Sequence, residues 1–262
     1  MRYAVLDGGK RVRPLLVLAA SAAVNGHTDA ALRAACAVEL IHAYSLVHDD
    51  MPCMDNDVLR RGKPTVHVQF GEAQALLAGD ALQALAFELL TPAPDQVPPA
   101  MQADLCRALA RAAGGAGMAG GQAIDLASVG KPLSEGALRH MHTLKTGALL
   151  EGSVRMGAAC AQQPLGAAAD DGLTRYGVAM GLAFQVVDDI LDVTADSIVL
   201  GKTAGKDAAA DKPTYVSVLG IDASRALAAR LGDEAQSALD DSGLSNVVYL
   251  RALAERIVNR NH

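Results

Sequence analysis

Apolar residues recur along most of the chain at the three-and-four spacing of a helix face, and the alternation expected of strands is almost absent. The pattern predicts helices over residues 15–24, 29–49, 72–90, 99–126, 135–161, 167–194, 223–239 and 245–259. Turn chemistry separates them. Asn25-Gly26-His27-Thr28, the proline-rich run from Pro92 to Pro99 and residues 201–213 all read as breaks. Several helices are apolar over more than half their circumference, which predicts burial inside a multi-helix bundle. The fold class expected is all-α. The 262 residues suffice for one sizeable core, so a single domain over 1–262 is the starting expectation.

Composition narrows the partners. Acidic residues outnumber basic ones by 29 to 23, so no broad basic face is advertised and nucleic acid is not an expected partner. Cys36, Cys53, Cys106 and Cys160 lie far apart with no Cys-x-x-Cys pair, which fits a reducing, cytoplasmic setting better than zinc or disulfides. Charged residues such as Asp80 interrupt the apolar runs before they reach spanning length, so stable membrane insertion is not expected. Met1 to Asp7 lacks the apolar core of a secretion signal.

Two helices end in carboxylate clusters. Asp49, Asp50, Asp55 and Asp57 follow the apolar run to Val47, and Asp188, Asp189 and Asp192 follow Phe184-Gln185-Val186-Val187. Asp188 and Asp192 share one helix face a turn apart. The pairs Asp170-Asp171 and Asp240-Asp241, set among small residues, read instead as solvated helix positions. Carboxylates crowded at the ends of apolar helices repel one another unless a cation neutralises them. Mg2+ suits such an open site, taking a few carboxylates together with waters and substrate phosphates. Three basic clusters supply the matching anion sites: Gly8-Gly9-Lys10-Arg11-Val12-Arg13-Pro14, Arg60-Arg61-Gly62-Lys63, and Lys202, Lys206 and Lys212. Acid followed by base occurs twice along the chain.

These motifs, with Gly120-Gly121-Gln122-Ala123-Ile124-Asp125 and Lys145-Thr146-Gly147, resemble those of the trans-isoprenyl diphosphate synthases in the same order. Within that family the chain is most similar to the bacterial farnesyl-forming enzymes. The resemblance implies a bundle of about ten mostly antiparallel helices around a deep central cavity, usually as a homodimer. It implies head-to-tail, 1′-4 condensation of an allylic diphosphate (dimethylallyl or geranyl) with isopentenyl diphosphate, in the order ionisation, condensation, elimination. About three Mg2+ ions per site would offset the charge on the departing diphosphate. Asp49, Asp55 and Asp188 are the direct ligands expected, with Asp50, Asp189 and Asp192 bridging or holding metal waters. The resemblance further assigns Arg60, Lys145, Lys202 and Lys212 to the allylic diphosphate and Lys10, Arg13, His42 and Arg61 to isopentenyl diphosphate. Thr146, Gln185 and the Lys145 carbonyl would face the carbocation.

Tyr44 and Ser45 lie about 6–7.5 Å below Asp49 along the helix, where an aromatic ring would stop chain growth. Tyr44, with the four-residue spacer between Asp50 and Asp55, resembles bacterial enzymes that stop at C15. Family members carry a helix before the Gly-Gly-Lys motif, so this chain, in which the motif begins at Gly8, is expected to lack one. Alternatives are a geranylgeranyl or longer-chain synthase, a terpene cyclase or head-to-head synthase, and a non-catalytic partner subunit of a prenyl synthase. The basic cluster at Lys10 argues against the second and the intact Asp clusters against the third.

Overall fold

The computed structural model of the chain describes residues 1–6, 8–131, 133–194 and 213–260. The elements are α1 (Arg2–Val5), α2 (Val12–Ala23), α3 (Thr28–Asp49), a ribbon of β1 (Leu59–Arg60) and β2 (Lys63–Pro64), α4 (Val66–Phe70), α5 (Glu72–Leu90), α6 (Pro99–Ala113) and α7 (Met118–Ser128). There follow α8 (Glu135–His142), a π turn (Thr143–Gly147), α9 (Ala148–Ala159), α10 (Ala167–Thr194), α11 (Tyr215–Leu219), α12 (Ile221–Asp241) and α13 (Val248–Val258). The class is all-α, and ten of the described helices have eight residues or more.

Most breaks have local causes. Pro14 sits inside the first turn of α2, where its missing N–H costs no hydrogen bond, so the helix starts at Val12 rather than after the proline. The span expected over 99–126 is two helices, because Gly114, Gly115 and Gly117 cannot hold helical backbone cheaply and the Gly114 N–H closes α6 on the Ala110 carbonyl. Ser134 caps α8, and Thr214 with Ser217 forms a capping box on α11. The span expected over 135–161 is interrupted by the π turn. Its apolar pattern continues on both sides, so periodicity alone does not register the extra residue.

Leu16 and Val17 are neighbours on α2 yet enter different cores, and Leu149 and Leu150 on α9 divide in the same way. One core gathers α2, α8, α9 and α10 with α11 to α13, and the other gathers α2 and α9 with α3, α5 and α6. Helices α2 and α9 are therefore buried on opposite faces. Their Ala-rich surfaces allow close approach, and leucine supplies most of the volume.

Two helices differ from expectation in one respect. By length and mean hydropathy, 1.4 for α3 and 1.2 for α5, both are apolar enough to cross a membrane. Helix α3 packs in the second core and holds Glu39, whose carboxylate pairs with the Arg11 guanidinium. Helix α5 is less covered: its most apolar stretch is only 28% buried, and Leu76 and Leu77 stand exposed.

Candidate active site

Helix α3 delivers Asp49 and Asp50 at its C-terminus, and the chain then folds back over that end. The Asp55 N–H donates to the Asp49 carbonyl at 2.8 Å and the Asp57 N–H to the Asp50 carbonyl at 3.1 Å. The four-residue spacer thus returns Asp55 to the helix end instead of carrying it away. Asp50 is buried, and Arg60 Nε lies 2.9 Å from both of its carboxylate oxygens. Burial pushes the Asp50 carboxyl above its ordinary value, and Arg60 partly offsets this. The Asp49 carboxylate accepts a hydrogen bond from the Gln122 amide on α7.

The ribbon turn explains why the two arginines part company. Arg61 and Gly62 both have positive φ, +53° and +75°, as a two-residue hairpin turn of this twist requires. Arg60 therefore faces Asp50, while the Arg61 guanidinium reaches Gly8, donating to its carbonyl at 3.4 Å, and lies against Gly9. Arg13 is buried nearby, and loss of hydration lowers its pKa to about 10. Burial and then the charges of Arg13, Arg61, Arg60 and Arg11 hold His42 well below its ordinary 6.5, so its ring is neutral at pH 7. The structure thus brings Arg13, His42 and Arg61 together as expected. Burial and then the Arg260 charge lower the Lys10 pKa, with Asp188 opposing the fall and Arg256 adding to it.

That second cluster sits on α10. The Asp188 carboxylate accepts from Arg260 at 2.6 Å, and the same guanidinium donates to the Phe184 carbonyl at 2.6 Å and lies 4.0 Å from the Phe184 ring centroid. Asp189 is buried, and both its oxygens are engaged, one by Gln185 Nε2 at 2.8 Å and the other by the Tyr215 N–H at 2.7 Å. Gln185 in turn accepts from the Thr146 hydroxyl at 2.7 Å. One chain of hydrogen bonds fixes the Gln185 amide orientation and ties the π turn, α10 and α11 together. Asp189 thus positions Gln185 and α11. Asp192, a turn beyond Asp188, is also buried.

The π turn carries Lys145, whose ammonium lies 2.5 Å from Asp125 on α7. Such turns interrupt a helix where a side chain must be re-aimed. Helix α7 is the spacer of the site: Gln122 holds Asp49 and Asp125 holds Lys145. Lys202 and Lys212 lie outside the described residues. Ser45 spends its hydroxyl on the His42 carbonyl of its own helix, at 2.8 Å, and Tyr44 packs edge-on against His48.

Among the described residues, no three Asp, Glu, His or Cys side chains converge closely enough to hold a metal ion alone. The carboxylates instead form two open banks of hard oxygen donors, with Arg60 on Asp50 and Arg260 on Asp188 neutralising one member of each. Such banks fit Mg2+ only in company with further oxygens from a phosphorylated ligand. Arg260, Gln122 and Asp125 carry contacts that spacing did not reveal. Gln122 and Asp125 stood in a recognisable motif without a role, whereas Arg260 lies 72 positions from its partner Asp188.

His142 gives the protein a pH response. The ring is buried, Nδ1 has no partner among the described residues, and burial lowers the pKa from 6.5 to about 4. As pH falls, the unfolded chain therefore takes up the proton first, and stability present above pH 6.5 is lost progressively towards pH 4. The loss attributable to this ring is about 3 kcal/mol. Urea unfolding at pH 7.5 and 4.5 should show a smaller difference for His142→Phe than for the unchanged chain; equal differences would contradict the assignment.

Comparison with known proteins shows the family. The polyprenyl synthetase family profile matches residues 1–243. A relative from Sinorhizobium fredii, named a probable farnesyl diphosphate synthase, is 52% identical over 245 residues, covering 93% of this chain and 73% of its own. The chloroplastic large subunit 1 of a heterodimeric geranylgeranyl pyrophosphate synthase from Arabidopsis thaliana is 48% identical over 270 residues, covering 100% of this chain and 71% of its own. The structure of Helicobacter pylori geranyltransferase complexed with magnesium and isoprenyl diphosphate matches with a TM-score of 0.86 at 36% identity, covering 98% of this chain and 85% of that one. The chain belongs to the polyprenyl synthetase family. It is a prenyltransferase of the trans type, as its motifs implied.

Proposed function

We propose that this prenyltransferase condenses dimethylallyl and then geranyl diphosphate with isopentenyl diphosphate, in a Mg2+-dependent reaction, to give farnesyl diphosphate. The observation that carries the reading is the parting of the ribbon arginines, Arg60 to Asp50 and Arg61 to Gly8, which places cations at two points around the carboxylate banks. Arg13 and Arg61, with the neutral His42 ring beside them, form one station, and Lys145, set by Asp125, belongs to the other. Two diphosphates can be held at once without sharing cations.

Asp49 and Asp55 on one bank and Asp188 on the other would hold the metal, which when bound offsets charge on the departing diphosphate and so favours ionisation. Around that step the chain's own groups have defined tasks. Lys145 and Arg60 hold the allylic diphosphate, and Lys10, Arg13 and Arg61 hold that of isopentenyl diphosphate. The Gln185 oxygen and Thr146, locked by Asp189, present oriented dipoles to the cation. The departed diphosphate takes the final proton, since the site holds no side chain placed as a general base among the described residues. Relatives named for geranylgeranyl pyrophosphate favour C20 as the second reading. Tyr44, below Asp49 on α3, favours C15.

The sparsely covered α5, with Leu76 and Leu77 exposed, supports a homodimer, which sedimentation would read as twice the chain mass. The free cysteines suit a reducing cytoplasm, and Glu39, a buried carboxylate on α3 paired with Arg11 from the start of α2, suits a helix that stays out of the bilayer. Incubating the protein with labelled isopentenyl diphosphate, dimethylallyl diphosphate and Mg2+ should give C15 chains, and EDTA should abolish them. Mainly C20 chains would replace the product assigned here, and no product from folded protein would leave a non-catalytic subunit.

A further inference from the structure

His48 and Tyr44 lie four residues apart and share one face of α3, turned towards α5. Their rings meet edge to face, with centroids 5.8 Å apart and planes at 73°. His48 is fixed at its other end as well, since Nε2 lies 3.0 Å from the Leu76 carbonyl of α5. The imidazole enters a notch that exists because residue 79 is glycine. A Cβ there would stand 2.0 Å from His48 Nε2, 2.5 Å from Cδ2 and 2.7 Å from Cε1. Gly79 has no positive φ and lies inside a helix, so room for this ring is the reason for glycine that the structure offers.

We infer that His48, seated in the Gly79 notch, is the positioning residue that holds the Tyr44 ring as the floor of the product pocket. The inference rests on the reading of Tyr44 as that floor. A tyrosine ring with one free χ1 rotation can leave a growing prenyl tail's path, and a packed aromatic edge restricts it. Product length is then set by three residues on two helices, only one of which touches the tail. Because the notch is on α5, a shift of α5 against α3 would change product length with no change in the residues lining the pocket.

The test is product length, which a merely structural role would not move. Chains formed from labelled isopentenyl diphosphate and dimethylallyl diphosphate are resolved for the unchanged protein, Tyr44→Ala, His48→Ala and Gly79→Ala, with helix content checked by circular dichroism. His48→Ala should raise the C20:C15 ratio about three- to tenfold, the size of effect expected from losing one aromatic edge contact. Gly79→Ala, which expels the ring, should move the ratio in the same direction. The ratio is internal to each reaction, so a lower overall rate from a change beside Asp49 does not obscure it. Should Gly79→Ala fail to fold, His48→Ala decides alone. If Tyr44→Ala lengthens the product and His48→Ala leaves it at the starting ratio, the clamp is wrong and the floor stands. If the unchanged protein makes C20, or Tyr44→Ala changes nothing, the floor itself is wrong and the clamp goes with it.

Discussion

Asp49→Ala and Asp188→Ala each lower turnover by about a thousandfold while leaving helix content unchanged, the scale expected when preorganised charge stabilisation is removed from a transition state. The fold tolerates both changes for reasons visible in the structure. The Asp188 side chain keeps 43% of its surface in water, and Arg260, its partner, retains the Phe184 carbonyl and ring when the carboxylate is gone. Among the contacts Asp49 gives up is the hydrogen bond from the Gln122 amide. Asp50→Ala is the control that behaves differently. Asp50 is buried and forks the Arg60 guanidinium, so its loss leaves that half-buried cation with only the more distant Asp57 carboxylate, at 4.0 Å, and lowers the melting temperature as well as the rate. Steady-state rates beside thermal melts separate the two cases. Near-normal turnover in Asp49→Ala or Asp188→Ala would remove these carboxylates from the chemistry.

What could be read from the sequence follows from how local each signal is. Helices α3, α5 and α10 were legible because each carries about twenty residues or more of apolar periodicity, with Gly71 before α5 and the pair Asp49-Asp50 closing α3. The π turn was not, because an extra residue within continuous apolar pattern leaves hydrophobicity unchanged while it re-aims Lys145 and Thr146. The site divides along the same line. Asp49 and Asp188 announced themselves by crowding, and Arg61 by its place beside Gly62. Their partners did not: Gln122 finds Asp49 across 73 positions, and Arg260 finds Asp188 only because α13 ends beside α10. Asp189 adds a contact that spacing does not show. Spacing groups it with Asp188, yet helical geometry turns it a third of a turn away, into Gln185 and the Tyr215 N–H. A motif names the residue types a site needs, whereas the tertiary fold decides which of them face the ligand.

Gly121→Ala is the second change expected to have a large effect, although residue 121 touches no substrate. A Cβ at this position would stand 2.1 Å from the Lys145 nitrogen, 2.5 Å from its Cα and 2.7 Å from the Leu144 carbonyl carbon. All three are backbone atoms of the π turn, so no side-chain rotation relieves the clash. Helix α7 must retreat from the turn by about 1 Å, a displacement that costs on the order of a hundredfold in rate at a positioned catalytic group. The retreat carries Asp125 from Lys145 and Gln122 from Asp49 together, because both sit on α7. Overpacking of this kind also destabilises by about 1–3 kcal/mol, a few degrees in melting temperature for a chain this long. A double-mutant cycle distinguishes the positioning effect from general loosening. Gly121→Ala and Asp125→Asn should be strongly non-additive in turnover, since each acts by releasing Lys145, and nearly additive in melting temperature. Additive rate losses, or a Gly121→Ala protein with unchanged turnover, would show that Lys145 is held without α7.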